Sequence, residues 1–447
     1  MSLGFSLSTT GALSWAAYLS DPSGSFAGRI AASTAARQRL RVALKAARRA
    51  SDARDDAAVA KAADDYLPFL LGVMTALDSD VLLFKSEPTF SWRTMVSASG
   101  VKGPPRVAFA SLHYELVMVL LTYALALANV ASANVLALGD YERQRHTSEA
   151  ERKRLDELVS QSVDALTRAA GILAFVSEDA VPRWETSAGD SIKGRPADTT
   201  REVTGALSKL CLADAERLAI RRLLTRAESD ATVAPGPPLP RSHPAPALLA
   251  KLELNVHSQL EVARAMSKAH GNVLTSDLRR CLSDGRTLAA GKAYKWLGID
   301  AGEAGRVGEG VAWLQLAKST LDDIGKTGAL SALKSSKRAQ PGIGGLADEA
   351  VAIDGFLKAY TRMNDKVSFQ EVPKPTTLLG RVPSGRAALV PKPFALPTPR
   401  FGLSRTSSRD DEADALAALS LDAASDSDAE DTRSAPPTAS GARPPRF

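Results

Sequence analysis

The chain has 447 residues, room for one large domain or two ordinary ones, with 45% hydrophobic residues, 24% charged residues and a net charge of +6. That charge is modest and spread along the chain, so it makes no case for nucleic acid as a partner. Two cysteines, Cys211 and Cys281, exclude a disulfide framework and read as buried thiols, while sparse aromatics and abundant alanine favour helices.

Met1 to Tyr18 lacks the basic segment and long apolar core of a secretory signal, so the expected compartment is the cytoplasm. Phe5 to Leu19 shows weak alternation, readable as strand or loop. Helical periodicity begins near Phe26, with Ile30, Leu40, Val42 and Leu44 on an apolar side. Arg37, Arg39, Arg41, Lys45, Arg48 and Arg49 make a basic side, whose simplest reading is a solvated face. From Asp55 to Leu83 the core stripe is Tyr66, Phe69, Leu70, Val73 and Leu77, and Pro68 is expected to kink or bound the helix. Lys85 to Arg93 reads as an irregular link bearing two aromatics.

Leu116 to Leu138 carries no charge and is long enough to span a bilayer. Thr122, Asn129, Ser132 and Asn134 interrupt it, and no second such segment exists. A helix apolar on all sides also suits the centre of a large helical domain, which is the expectation here. Further helices are predicted over Arg143 to Phe175, broken only at Gly171, then over Thr200 to Arg226 and Ala247 to His270. Ser276 to Ile299, Val307 to Ile324 and Leu346 to Met363 complete the set, and the proline-rich Ala234 to Pro246 reads as a loop between two of them. Strand signal is nearly absent, so the pattern predicts an all-α, solenoid-like array without a strict repeat.

Beyond Asn364 the character changes. Val367 to Pro399 is proline-rich and without helical period, an extended strap lying on the folded body. After Arg400 the chain is rich in Ser, Asp and Ala and is expected to be disordered. Within it, Asp410 to Leu421 has the spacing of a short acidic amphipathic helix, using Leu416, Leu419 and Leu421. Ser425 and Ser427, set among acids, resemble acidophilic kinase sites. The expected organisation is one domain over 1–395, with a helical core to about 365 and the strap over 366–395, followed by an acidic tail over 400–447.

The motifs of catalysis are missing from this sequence. None of His113, His146, His243, His257 and His270 stands with a cysteine at zinc-finger spacing. His257 and Glu261 lie one turn apart without a third ligand. Gly342, Gly344 and Gly345 precede no lysine and hydroxyl of a phosphate loop, and there is no Gly-x-Ser-x-Gly elbow. Basic runs lack interleaved aromatics. The expectation is a non-enzyme with no cofactor, no metal and no nucleic-acid partner. An unrecognised hydrolase is the contrasting class, disfavoured for want of an activated nucleophile.

The most telling stretch is Ala293 to Ala317. Tyr294, Trp296 and Leu297 close one helix, Gly302 and Gly305 allow a turn, and Val311, Leu314 and Leu321 fall at helical spacing on the next, with Trp313 and Leu316 beside them. This is a tetratricopeptide-like hairpin, a scaffold element. Tyr294-Lys-Trp-Leu-Gly-Ile-Asp300 with Gly308-Glu-Gly-Val-Ala-Trp-Leu314 resembles the signature of the Bro domain family, the boomerang-shaped helical domain of Alix-like proteins. Tyr66-Leu-Pro-Phe-Leu70, Glu87-Pro-Thr-Phe-Ser-Trp-Arg93, Leu116 to Ala131 and Leu248-Leu-Ala-Lys-Leu252 resemble other parts of it, over roughly residues 1–395.

Alix-like members continue into a second, V-shaped helical domain, whereas here only a short tail follows, which points to the single-domain groups. The ending Arg443-Pro-Pro-Arg-Phe447 has no cysteine for a prenyl anchor. Val367-Ser-Phe-Gln-Glu-Val-Pro373 and Val382 to Phe394 resemble the fungal pH-response branch. That resemblance implies an adaptor linking a membrane pH-sensing complex to ESCRT-III, so that a calpain-like protease activates a zinc-finger transcription factor. It implies peripheral membrane association only, at endosomes or cortical sites of the plasma membrane. General endosomal cargo sorting is the alternative within the family. It also implies that a hydrophobic groove binds the C-terminal amphipathic helix of a Snf/CHMP-type ESCRT-III subunit. Leu248 and Leu252 match its two aliphatic contacts and Asp156 its acidic one. Ser160 stands where relatives often carry lysine, and Ala219 where Alix-like members carry an aromatic, with Ile220 offered as compensation.

Overall fold

Polar caps open the long helices where the hydrophobic period begins. The side chains of Asp55, Ser111, Ser148 and Thr275 accept from the backbone N–H groups of Ala58, Tyr114, Glu151 and Leu278, satisfying donors that a helix start leaves unpaired. The computed structural model describes residues 3–50, 54–98, 104–139, 148–228, 236–270, 273–332 and 343–402. The expected helix over Asp410 to Leu421, the serines Ser425 and Ser427 and the disorder expected beyond 402 lie outside the described residues.

A single helical turn, α1 (Trp15–Tyr18), precedes the array proper. Then come α2 (Ala27–Arg49), α3 (Asp56–Asp78), α4 (Leu112–Leu138) and α5 (Glu149–Phe175). A π-turn over Val176–Ala180 leads to the short α6 (Val181–Ala188). The array continues with α7 (Arg201–Glu228), α8 (Pro246–Ser267), α9 (Ser276–Glu303), α10 (Val307–Ala332) and α11 (Ile343–Met363). Each long helix packs on the next, α5 meeting α7 directly. Such nearest-neighbour packing builds one core along the array.

At the centre, α4 is apolar and long enough to cross a membrane, and 89% of its most apolar window is buried inside the protein, between α3 and α5. Cys211 and Cys281 are buried free thiols. At the far end, α9 and α10 form the expected hairpin, with Tyr294 stacked on Trp313 at 5.6 Å. The turn differs in detail. α9 runs on through Gly302, whose bare Cα admits the Tyr360 ring of α11, and the chain reverses at Gly305, with φ of +78°.

Four expectations give way in whole or in part. Pro68 neither ends nor bounds α3, which runs from Asp56 to Asp78. Its carbonyl is instead used by the strap, accepting from the Arg400 amide at 3.0 Å. Gly171 does not break α5. It clears a path for the strap, since a Cβ there would collide with the Lys392 carbonyl. Lys85 to Arg93 is not wholly irregular. Phe90–Arg93 is strand β3, paired antiparallel with β4 (Arg106–Phe109), while β1 (Leu19–Ser20) pairs with β2 (Leu83–Phe84).

The fourth is Arg37, expected on a solvated face and in fact 1% exposed. Its Nε donates to Glu115 at 2.8 Å, Nη1 to the Gly11 carbonyl and Nη2 to the Thr10 hydroxyl. Trp92 Nε1 donates to the same carboxylate at 2.6 Å and the Tyr66 hydroxyl at 3.4 Å. Glu115 thus pins α2, α3, β3 and α4 together. A second buried acid, Asp198, receives the Val96 amide at 3.1 Å, the Met95 amide and the Ser97 hydroxyl.

The strap runs from the α9–α10 hairpin back towards the start of the array and includes one short helix, α12 (Pro375–Leu379), whose Leu378 packs with Ala301 and Trp313. The Arg386 amide donates to Lys251 of α8, Ala388 to Glu216 of α7 and Lys392 to Thr167 of α5. Phe394 packs on Phe175 with ring centres 5.3 Å apart.

Candidate partner-binding site

The groove predicted from the sequence falls on α5, α7 and α8, beside the strap. Paired contacts fix the registers. Asn255 Nδ2 donates to Glu216 at 2.8 Å, and Met266 lies against Gly205, so α7 and α8 run antiparallel. That register sets Leu252 opposite Ala219 and Leu248 opposite Leu223. Arg222 donates to Ser160 at 3.1 Å and Ser208 to the Ala170 carbonyl at 2.8 Å, so α5 runs antiparallel to α7 as well.

The six candidate residues are brought to one region, and their exposure divides them. Leu248 and Ala219 are half-buried and Ser160 is exposed, at the surface. Asp156 is half-buried one turn before Ser160 on α5. Leu252 and Ile220 are 5% and 3% exposed and belong to the core. Ile220 sits about 100° round the helix from Ala219, which turns it inward. Leu252, expected as a direct aliphatic contact, therefore packs within the chain instead.

Leu223 is the residue that sequence reasoning missed. It is 40% exposed and one turn beyond Ala219, so its side chain supplies the outward apolar surface that alanine lacks. The signal was its i,i+4 spacing from Ala219. Arg222 adds an exposed cation that holds the Ser160 hydroxyl at the rim.

Two carboxylates lie beneath this surface. Burial pushes Glu216 above the usual carboxylate range, against the bonds from Asn255 and the strap amides of Ala388 and Leu389. Burial likewise raises Glu253, opposed by Lys292 and Arg217, and its Oε2 has no hydrogen-bond partner. What the arrangement offers is binding: an apolar strip of Leu248, Ala219 and Leu223, rimmed by Ser160, Arg222 and Asp156. It suits the apolar face of an amphipathic helix. Among the described residues no group of three metal-ligating side chains occurs.

The BRO1-like domain profile matches residues 29–409. The pH-response regulator protein palC of Cryptococcus neoformans var. neoformans serotype D (strain B-3501A) is 36% identical over 456 residues, spanning 90% of this chain and 93% of its own. The palC protein of Emericella nidulans is 26% identical, with 87% and 88% covered. Among solved structures, the ALIX BRO1 domain from its complex with CHMP4C superposes with a TM-score of 0.61 at 18% identity, over 90% of this chain and 98% of that one. That likeness is one of fold, a mainly helical array.

Proposed function

The chain belongs to the BRO1-like domain family, and we propose that it is a non-enzymatic adaptor of fungal alkaline ambient-pH signalling. In this reading the face of α5, α7 and α8 holds the C-terminal amphipathic helix of a Snf/CHMP-type ESCRT-III subunit. Leu248, Leu223 and Ala219 form the apolar contact, Leu252 and Ile220 back it from within, and Asp156, Ser160 and Arg222 set the polar rim. The adaptor brings ESCRT-III to a pH-sensing membrane complex, where a calpain-like protease activates the zinc-finger transcription factor. It works from the cytoplasm, recruited peripherally to endosomes or cortical sites.

The observation that carries the helix contact is the apolar strip of exposed Leu223 and half-buried Leu248, on the helices where the sequence resemblance locates partner contacts. The 36% identity to a pH-response regulator supports the pathway. The ALIX BRO1 domain was solved with CHMP4C, which supports the partner class. A deletion strain tests the pathway: the reading expects loss of growth at alkaline pH with endosomal cargo sorting intact. Defective sorting with normal alkaline growth would assign the chain to general sorting instead.

A further inference from the structure

Four arginines converge on one surface at the other end of the array. Arg93 and Arg106 are direct partners across β3 and β4, so their side chains leave the ribbon on the same face. Arg41 and Arg48 lie two turns apart on α2 and share a face of it. Arg37, one turn before Arg41, seats that face against β3. It donates to the Thr10 hydroxyl, and Thr10 bridges to Trp92. Like charges directly opposite in a ladder destabilise it. Burial first, and then the charges of Arg93, Arg48 and Arg41, push the Arg106 pKa down.

No carboxylate among the described residues forms an ion pair with any of the four. Arg106 donates to the Ser91 carbonyl at 2.9 Å and the Thr9 hydroxyl at 3.3 Å, and Arg93 to the Pro104 carbonyl at 3.0 Å, all neutral acceptors. The Nε atoms of Arg41 and Arg93 are buried without a partner. Glu115 is committed to Arg37, and Asp56 to Asn129. Among the described residues the cluster is a multivalent cation without a multivalent anion.

The chain itself carries one. Residues 410–431 contain nine acids, Asp410, Asp411, Glu412, Asp414, Asp422, Asp426, Asp428, Glu430 and Asp431, and no lysine or arginine. The described chain reaches residue 402 at the start of α2, where the Phe401 ring lies 6.2 Å from that of Phe26. Arg41 and Arg48 are about 20 and 30 Å along α2 from there, at about 1.5 Å per residue. The residues from 402 to 410 span up to about 27 Å, so the acidic run can reach both.

The geometry points to segment 410–431 as the ligand of the Arg41, Arg48, Arg93 and Arg106 cluster, an intramolecular acidic clasp. Guanidinium forks match carboxylates two bonds at a time. The tether makes the encounter intramolecular, with an effective concentration in the millimolar range, so pairs that are weak singly suffice together. Ser425 and Ser427 lie within the segment, and a phosphate on either adds a charge of about −1.5 to −2 that tightens the clasp.

The test uses the full chain with spin labels at Val42→Cys, an exposed position next to Arg41, and at Ala429→Cys. Cys211 and Cys281 are buried and slow to label. A short-distance population is expected, and it should be lost in the Arg41→Gln/Arg48→Gln variant. Among the described residues those two side chains donate no hydrogen bond to the fold, so the melting temperature should hold. The same loss is expected on neutralising Asp426, Asp428, Glu430 and Asp431 to their amides, which leaves the folded body untouched, and in about 0.5 M salt, which screens such pairs. No short population in the unsubstituted chain, or one that survives all three changes, overturns the clasp. An unchanged distance together with lost binding of Arg41→Gln/Arg48→Gln to phosphatidylserine vesicles also overturns it, and assigns the cluster to a membrane surface.

Discussion

Glu115 and Leu248 both sit where helices meet, and the two places are finished to opposite degrees. Around Glu115, one guanidinium, one indole and one phenol spend their donors on a single buried carboxylate. Nothing can be added there without breaking something. Around Leu248 the helices leave apolar side chains in solvent, with Leu223 40% exposed and Ala219 too small to cover its neighbours. The first place holds the array together. The second is an apolar strip with a polar rim, the surface on which we propose that the partner helix docks.

The largest effect tests the closed end. Glu115→Gln leaves Arg37 charged and buried without its counter-ion, and should cost about 3–5 kcal/mol in chemical denaturation. A cost below about 1 kcal/mol, the level of a surface pair, would remove the contrast.

The next effect separates floor from surface inside the groove. Leu252→Asp puts a carboxylate into a core position and should destabilise by about 3 kcal/mol or more. Leu248→Asp, half-buried at the surface, should cost about 1 kcal/mol or less. Equal melting temperatures for the two variants would erase the distinction between them.

A smaller effect probes a polar site of intermediate closure. Burial opposes the charge on Glu349, but Lys295 at 2.5 Å and Lys292 at 3.3 Å outweigh it and hold the carboxyl at about 2. A depressed carboxylate contributes stability that is complete above its unfolded pKa, about 4.5, and disappears as pH falls towards about 2. Linkage over that range sets a ceiling of about 3.4 kcal/mol, and solvent screening at the partly exposed carboxylate brings the contribution to about 2 kcal/mol. Denaturation curves across that window should show it in the unsubstituted chain, and Glu349→Gln should flatten that part of the dependence. An identical acid profile in both would show the pair to be incidental.

Much of this is readable in the sequence. The apolar stripe Tyr66, Phe69, Leu70 and Val73 is core, the uncharged run over Leu116 to Leu138 is the buried centre, and the Tyr294 to Leu314 segment is the hairpin. The misses have physical causes. Arg37 shares its helix face with Leu40 and Leu44, but whether a cation on an apolar stripe is buried depends on a carboxylate 78 residues away. Gly171 resembles a helix breaker because the strap that needs its bare Cα lies more than two hundred residues on. Pro68 resembles a helix boundary for a similar reason, since the distant amide that its carbonyl receives is invisible in the local pattern. In the groove, spacing puts Leu248 and Leu252 on one helix face. Only packing against α7 decides that one is surface and the other floor, and that Leu223 rather than Ile220 looks outward.

The central claim is that the strip at Leu223 and Leu248 receives a helix. Fluorescence anisotropy of a labelled C-terminal helix from a Snf/CHMP-type ESCRT-III subunit, titrated with the full chain, tests it directly. Leu223→Asp and Leu248→Asp should each weaken binding by about tenfold or more, corresponding to about 1.4 kcal/mol, with melting temperatures close to that of the unsubstituted chain. Undiminished affinity in both folded variants would place the helix elsewhere and contradict the account.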